Sequence, residues 1–457
     1  MRLLLVGSGG REHALAWKLL QEEPSLELLA APGNPGIAEL GECVPVSATD
    51  LPGLLHLARS RAVDLTIVGP EGPLALGIVD LFRDAGLPIF GPTRAAAEIE
   101  TSKAFAKQLM LEEGIPTARA EMHTDVASAK DAVRRFGAPV VVKASGLAAG
   151  KGVIVCSSIA EADHAIEDML QGNRFGAAGA EVLVEEFMEG EEISIFAISD
   201  GNSFVLLPGL QDHKRLLDND LGPNTGGMGA YMPVTAPDLA DQSISAGTDR
   251  SISLMMSVML GVFAPTLHGL AKRGRPFTGL LYGGLMLTRD GPKVVEFNCR
   301  FGDPETQALV PALTTHPRLL DLMLAVGRGE RIAGYAADGV FDDSAYDAGI
   351  FTYNVRGACV TTVLAAANYP DTPRTGDRIT LPPADADVFV FHAGTARDAN
   401  GQLVTSGGRV LAVSAVAPTI AEARKRSLDY AERVEFAGKQ FRSDIGWRES
   451  ARQQPKP

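Results

Sequence analysis

The pattern that most limits how this chain can fold runs through its first hundred residues. Short apolar runs at 3–6, 26–30, 65–68 and 88–90 alternate with helical stretches. Parallel strands need crossover connections, so this alternation predicts a doubly wound parallel α/β sheet. The first three runs end in Gly7-Ser8-Gly9-Gly10-Arg11-Glu12, Ala31-Pro32-Gly33-Asn34-Pro35-Gly36 and Val68-Gly69-Pro70-Glu71-Gly72. Open α/β sheets bind ligands at the carboxyl ends of their strands, so the three loops outline one crevice.

Past residue 102 the pattern changes. Runs at 138–143 and 153–156 read as strands joined by a glycine-rich loop, followed by a helix at 159–170 and a strand at 181–187. Antiparallel signals then dominate: 193–199, an Asp200-Gly201 turn and 204–207, and later 279–288 with 293–298 across Arg289-Asp290-Gly291-Pro292. The last part holds short strands at 350–353, 360–365, 388–392 and 410–415, a helix at 419–436 and a polar tail after Trp447. A chain of 457 residues exceeds one compact core. Boundaries fall at 1–101, 102–327 and 328–457. The net charge of −14 and a pI near 5.1 argue against nucleic-acid or anionic-membrane partners. Cys43, Cys156, Cys299 and Cys359 lie far apart without a CxxC pair, which fits reduced thiols in the cytoplasm. No apolar run reaches the ~20 residues of a membrane span.

The first loop begins like a dinucleotide fingerprint, Gly7-x-Gly9, but Glu12 stands where the third glycine belongs. No carboxylate ends the second strand to meet a ribose hydroxyl, which disfavours NAD. The loop amides at a helix N-terminus, with Arg11 beside them, suit a phosphate monoester; a tight turn without ligand is the alternative. The stretch Lys143-Ala144-Ser145-Gly146-Leu147-Ala148-Ala149-Gly150-Lys151-Gly152 is not a P-loop. Three residues separate Gly146 from Gly150, Gly152 replaces the magnesium-binding Ser or Thr, and a strand follows instead of a helix. It reads as a lid over a triphosphate, with Lys143 as a point charge, or else as a solvated hairpin.

In Lys293-Val294-Val295-Glu296-Phe297-Asn298, strict alternation sends Val295 and Phe297 to the core and puts Glu296 and Asn298 on the other face. Their oxygens, ~6.5–7 Å apart along the strand, can converge on one hard cation; a polar solvent face is the alternative. Arg300, Asp303 and Glu305 follow, with Asp303 expected as a helix cap and Pro304 as the first helical residue. Glu185-Glu186-Phe187-Met188 ends a strand whose backbone suits an adenine edge, and Glu192 suits ribose or metal; an acidic surface turn is the alternative. The loops at 211–215 and 222–231 mix glycine with both charge signs: Asp212 for an ammonium, Lys214 or Arg215 for anions. His213 lacks a partner at metal-ligand spacing and is expected to hydrogen-bond.

In this order the segments resemble the phosphoribosylamine-glycine ligase (glycinamide ribonucleotide synthetase) family of the ATP-grasp superfamily. The match is strong over 1–307 and returns at Asp444-Ile445-Gly446-Trp447-Arg448. The resemblance implies an N-terminal α/β substrate-binding domain, a central ATP-grasp domain with a mobile lobe at about 120–188, and a β-rich C-terminal domain like that of biotin carboxylase. It implies ATP-dependent joining of glycine to 5-phosphoribosylamine through a glycyl phosphate, with Mg²⁺ or Mn²⁺, by a monomer or weak homodimer in purine biosynthesis. Around ATP it places Lys103, Lys143, Gly150, Lys151, Gly152, Glu185, Glu186, Phe187, Met188 and Glu192, with Glu296 and Asn298 on the metal. To the substrates it assigns Gly9, Gly10, Glu12, Asn34, Glu71, Asp212, Lys214, Arg215, Asn224, Thr225, Gly226 and Arg300. Among all of these, Lys143, Arg300 and Asp212 are the catalytic candidates. Departures from the family pattern are residues 312–317, Asn368-Tyr369-Pro370-Asp371, and Thr361-Thr362 in an apolar strand. Another ATP-grasp ligase or carboxylase of nucleotide metabolism, or a non-catalytic nucleotide-binding subunit, is the competing expectation.

Overall fold

The computed structural model describes residues 1–146, 152–171, 179–235, 250–314, 317–332 and 355–452. The lid residues Gly150 and Lys151 and the expected strand at 350–353 lie outside them.

The N-terminal sheet is parallel, in the order Glu42–Cys43, Glu27–Pro32, Arg2–Gly7, Leu65–Val68, Ile89–Phe90. Its edge strand Glu42–Cys43 has two residues, too few to show a period in the sequence. Strand order reverses about Arg2–Gly7, so the loops after Gly7 and Val68 flank a topological switch point. Leu3 to Val6 are all 0% exposed, as expected for a central parallel strand covered on both faces.

Two antiparallel sheets follow. One orders Ala120–His123, Val182–Glu186, Val140–Ala144, Val153–Cys156. With the helices Val126–Phe136 and Ile159–Leu170 it encloses a small core of its own, from Ala129 to Val184. The other orders Phe204–Leu206, Glu191–Asp200, Thr278–Thr288, Gly291–Asn298. Here strict alternation fails. Val294 pairs with Leu285 but Glu296 with Gly284, leaving Val295 as an extra, bulged residue. Val294 and Phe297 therefore take the core positions, at 0% and 3% exposed. Val295, expected inside, lines a cavity instead.

The third large sheet orders Gln211–Asp212, Gly229–Met232, Ala358–Ala365, Arg409–Ala417, Val388–His392. Strands from either side of residue 328 thus share one hydrogen-bonded layer. Thr361 and Thr362 are buried there without loss, because their hydroxyls meet Ser414 Oγ at 2.8 Å and Ser427 Oγ at 2.7 Å.

Other expectations change. Asp303 does not cap the helix Glu305–Ala312; Pro304 holds the cap position, and Asp303 accepts from Gln307 Nε2 at 2.9 Å. The tail expected after Trp447 opens with a helix, Trp447–Arg452, pinned by Arg452 to both carboxylate oxygens of Glu191 at 3.0 Å. One helical stretch, Leu254–Lys272, has the length and hydropathy of a membrane span, which the apolar runs did not suggest. Half of it is buried inside the fold, where Val258, Val262, Phe263 and Leu267 join the core.

Candidate active site

Lys143 and Glu185 lie on neighbouring strands in which Lys143 opposes Leu183 and Val141 opposes Glu185, so the two charges are diagonal on one face. Lys143 Nζ is 2.6 Å from Glu185 Oε2. The other oxygen of Glu185 takes Lys107 Nζ at 2.9 Å, and Lys107 also donates to Thr117 Oγ1 at 2.7 Å. Thr117 donates to Val294 O at 2.8 Å and Lys143 to Val295 O at 3.0 Å. The bulged strand is thereby bolted to the Val140–Ala144 sheet. Burial pushes the Lys143 ammonium down, but Glu185, Glu296 and Glu192 outweigh it and hold its pKa above the ordinary value. Lys103, where burial prevails over Glu296, is lowered.

Glu185, expected at ATP, is thus buried between two lysines. Lys107 was not among the expected residues, although it sits four positions after Lys103 on the helix Lys103–Glu112 and so shares its face. Losing Lys107 leaves one oxygen of buried Glu185 unsatisfied while Lys143 still holds the other, so Lys107→Met is expected to destabilise the fold by about 2 kcal/mol. A loss of unfolding free energy in urea well under about 1 kcal/mol would refute the pairing.

A cavity of about 490 Å³ joins Lys143, Phe187, Met188, Glu192, Asp212, Gly226, Glu296 and Asn298. An adjoining chamber of about 160 Å³ shares Lys143, Glu296 and Asn298 and adds Lys103 and Gly152, the end of the expected lid. Glu296 faces Gly284, whose missing side chain leaves room beside the carboxylate. Among the described residues Glu296 has no direct hydrogen-bond or ion-pair partner. Burial would raise its pKa, but Lys214, Lys143, Lys103 and Arg300 together hold it below the ordinary carboxylate value. Asn298 Oδ1 accepts from Arg300 at 3.3 Å and keeps a lone pair. A free carboxylate and an amide oxygen on one cavity wall, ringed by cations, fit a hard divalent ion that brings phosphates with it.

At one end of the cavity Glu186, held by Arg119 at 2.6 Å, lines the wall together with Phe187 and Met188. Toward the other end Glu192 pairs with Lys214 at 3.0 Å, and Lys214 with Asp212 Oδ2 at 3.3 Å. Asp212 Oδ1 is buried without a donor. Burial, opposed by Lys214 and reinforced by Glu305 and Glu192, pushes the Asp212 carboxyl up to about 7. Arg215, Asn224, Thr225 and Gly226 complete this side, with Thr225 Oγ1 donating to Lys214 O at 2.9 Å. His213 lies beneath, its Nε2 accepting from Gly446 N at 3.0 Å; it hydrogen-bonds, as expected.

The N-terminal loop corrects a reading. Two amides expected to cradle a phosphate face carboxylates: Gly9 N donates to Glu12 Oε2 at 2.5 Å and Arg11 N to Asp303 Oδ2 at 3.3 Å. Those anions would repel a phosphate at these amides. Glu12 lies packed against Gly7 and Gly69, where any Cβ would overlap it, so the third-glycine space is filled by a carboxylate. Gly10 is packed as closely against Gln307. Asn34 bonds backbone at both ends, donating to Ser8 O and His392 O at 2.9 Å and accepting from Gly36 N and Ile37 N. It shapes the crevice wall from within. Glu71 and Glu100 hold Arg300 at 3.3 and 3.1 Å, and all three line the smaller chamber.

Models of the phosphoribosylglycinamide synthetase N domain, ATP-grasp (A) domain and C domain match residues 1–100, 101–306 and 359–448. Phosphoribosylamine–glycine ligases of Xylella fastidiosa (strain 9a5c) and Vibrio parahaemolyticus are 48% and 45% identical, over 98% and 100% of this chain and 96% and 100% of theirs. The crystal structure of phosphoribosylamine–glycine ligase from Thermotoga maritima superposes with a TM-score of 0.79 at 33% identity, covering 97% of this chain and 100% of that one. A biotin carboxylase from Campylobacter jejuni shares the fold alone: TM-score 0.68, 14% identity, 99% of this chain and 95% of that one. Full-length coverage at these identities, with all three domain models in order, means that the chain belongs to the phosphoribosylglycinamide synthetase family of ATP-grasp ligases.

Proposed function

We propose that this cavity activates glycine with ATP and couples it to 5-phosphoribosylamine, giving glycinamide ribonucleotide, ADP and phosphate, a step of purine biosynthesis. One observation carries the assignment: Lys143, Glu296, Asn298 and Asp212 line the same space. A carboxylate resists attack by an amine at neutral pH, so activation must come first. A glycine carboxylate oxygen attacks the γ-phosphorus, the bond to the bridging oxygen of ADP breaks, and glycyl phosphate forms. The amine nitrogen of phosphoribosylamine then attacks the acyl carbon, loses a proton, and inorganic phosphate leaves with the electrons of the C–O bond.

Such phosphoryl transfer demands positioning and charge neutralisation more than covalent help. Lys143 and Lys103 supply fixed positive charge at the phosphates. Glu296 and Asn298 would hold the divalent cation, Mg²⁺ or equally Mn²⁺, which neutralises phosphate charge when bound. Backbone at 186–188 receives the adenine edge, and Gly150 to Gly152 cover the phosphates. Asp212 accepts the glycine ammonium, Arg300 orients the glycine carboxylate, and Glu12, Asn34, Glu71 and the loop after Val68 line the crevice that receives phosphoribosylamine. We assign these roles within domains at 1–101, 102–327 and 328–457 of a cytoplasmic monomer or weak homodimer.

ADP release, measured with glycine, Mg-ATP and fresh phosphoribosylamine and with each omitted in turn, tests the assignment. All three are expected to be required. Turnover that persists without glycine would sink it.

A further inference from the structure

We propose that Arg409 and Tyr369, neither of which lines the nucleotide chamber, are positioning residues that fix the 224–227 loop against Asp212 and so set the affinity for the amino-acid substrate. The proposal rests on the ligase reading above. Both backbone groups of Gly226 are held by side chains from the C-terminal part of the chain. Its N–H donates to Tyr369 Oη at 2.9 Å, and its carbonyl accepts from Arg409 Nη1. The same Arg409 nitrogen donates to Asp303 O at 2.6 Å and lies 3.3 Å from Asp303 Oδ1. One guanidinium thus clamps the loop to the segment that follows the metal-site strand.

Elsewhere the loop is tied to its own neighbours: Thr225 N donates to Lys214 O at 2.7 Å and Met228 N to His213 O at 2.8 Å. Among the described residues, Gly226 between them has only Tyr369 and Arg409. What the clasp places is Gly227. A Cβ on Gly227 would overlap the Pro304 ring and come within 2.9 Å of Asp212 Oδ1, the buried oxygen without a donor. The loop is therefore a wall of the space where the ammonium is expected. The clasp is close-packed in turn, since a Cβ on Gly408, beside Arg409, would overlap the Tyr369 ring. Asn368 holds the positive φ of 68° that starts the Tyr369 turn, a conformation asparagine tolerates better than most residues. The departure at 368–371 thus keeps the tyrosine in place.

Steady-state kinetics and amide exchange on Tyr369→Phe, Arg409→Met and Arg409→Lys test this. One neutral hydrogen bond lost should raise KM for glycine about fivefold in Tyr369→Phe, and the charged clamp lost should raise it about thirtyfold in Arg409→Met. KM for ATP should stay within about twofold in both. Arg409→Lys should recover part of the loss. A purely structural role would move both constants together, and that result, or an unchanged KM for glycine, overturns the proposal. Hydrogen exchange at the Gly226 amide decides the clasp independently of turnover. Protection should fall in Tyr369→Phe, and unaltered protection overturns the clasp even if the wild type proves to be no ligase.

Discussion

Glu296→Gln is expected to lower ligation by about a thousandfold while leaving the chain folded, the scale seen when a preorganised charge is removed from a transition state. In the proposed assignment Glu296 supplies the anionic oxygen for the cation, and glutamine keeps its size but not its charge. The four cations around it, Lys214, Lys143, Lys103 and Arg300, then lose their shared anion. Neighbouring Val294 and Phe297 carry the packing of this strand and are unaltered, which is why the fold should survive. ADP release across a Mg²⁺ titration, beside thermal melting by circular dichroism, checks both halves. A variant that retains more than half the wild-type rate at saturating Mg²⁺ would remove Glu296 from the metal site.

Asp212→Asn should weaken glycine binding by about a hundredfold, the range for a charge-assisted bond lost in a water-poor pocket. The pH dependence adds a sign. With its carboxyl pushed up to about 7, Asp212 is neutral in the free protein below that value and charged above it. The wild-type KM for glycine should therefore climb as pH falls below about 7, while the asparagine variant shows a flat profile. Stability must move the other way. A carboxyl whose folded pKa lies above its unfolded value of 3.8 holds a proton that the unfolded chain has released, so its contribution declines between about pH 4 and 7. Asparagine escapes that decline. Above pH 7 the variant should be the more stable protein, by ~1–3 kcal/mol once the loss of the Lys214 partner is set against it. Equal glycine affinity at pH 6 and 8 in the wild type would refute the account.

Much of the site was legible because its chemistry is written in short segments. The period-two pattern placed Glu296 and Asn298 near each other, and the run at 143–156 correctly promised two strands on either side of a glycine-rich connection instead of a strand and a helix. Two local predictions failed for one reason. Val295 was expected in the core and Asp303 at a cap, and both readings assumed ideal geometry. A bulge opposite Gly284 moved Val295 to the cavity, and a partner far along the chain, Arg409, engaged Asp303. A bulge depends on the register of the opposing strand, which no window of a single strand contains. Lys107 was overlooked because a lysine on a helix is ordinarily solvated; only Glu185, 78 positions further along, explains its burial.

The sequence by itself determined most element types and the family, since these are encoded in contiguous residues whose spacing sets periodicity and turn chemistry. It read 211–215 and 222–231 as loops where short strands form, because their pairing partners lie elsewhere in the chain. Tertiary structure alone decided which charges neutralise one another. Lys107 with Glu185, Arg300 with Glu71 and Glu100, and Arg409 with Gly226 and Asp303 join residues separated by tens to hundreds of positions. Electrostatic and hydrogen-bond energies depend on distance in space, and folding sets that distance through loop closures no local pattern records.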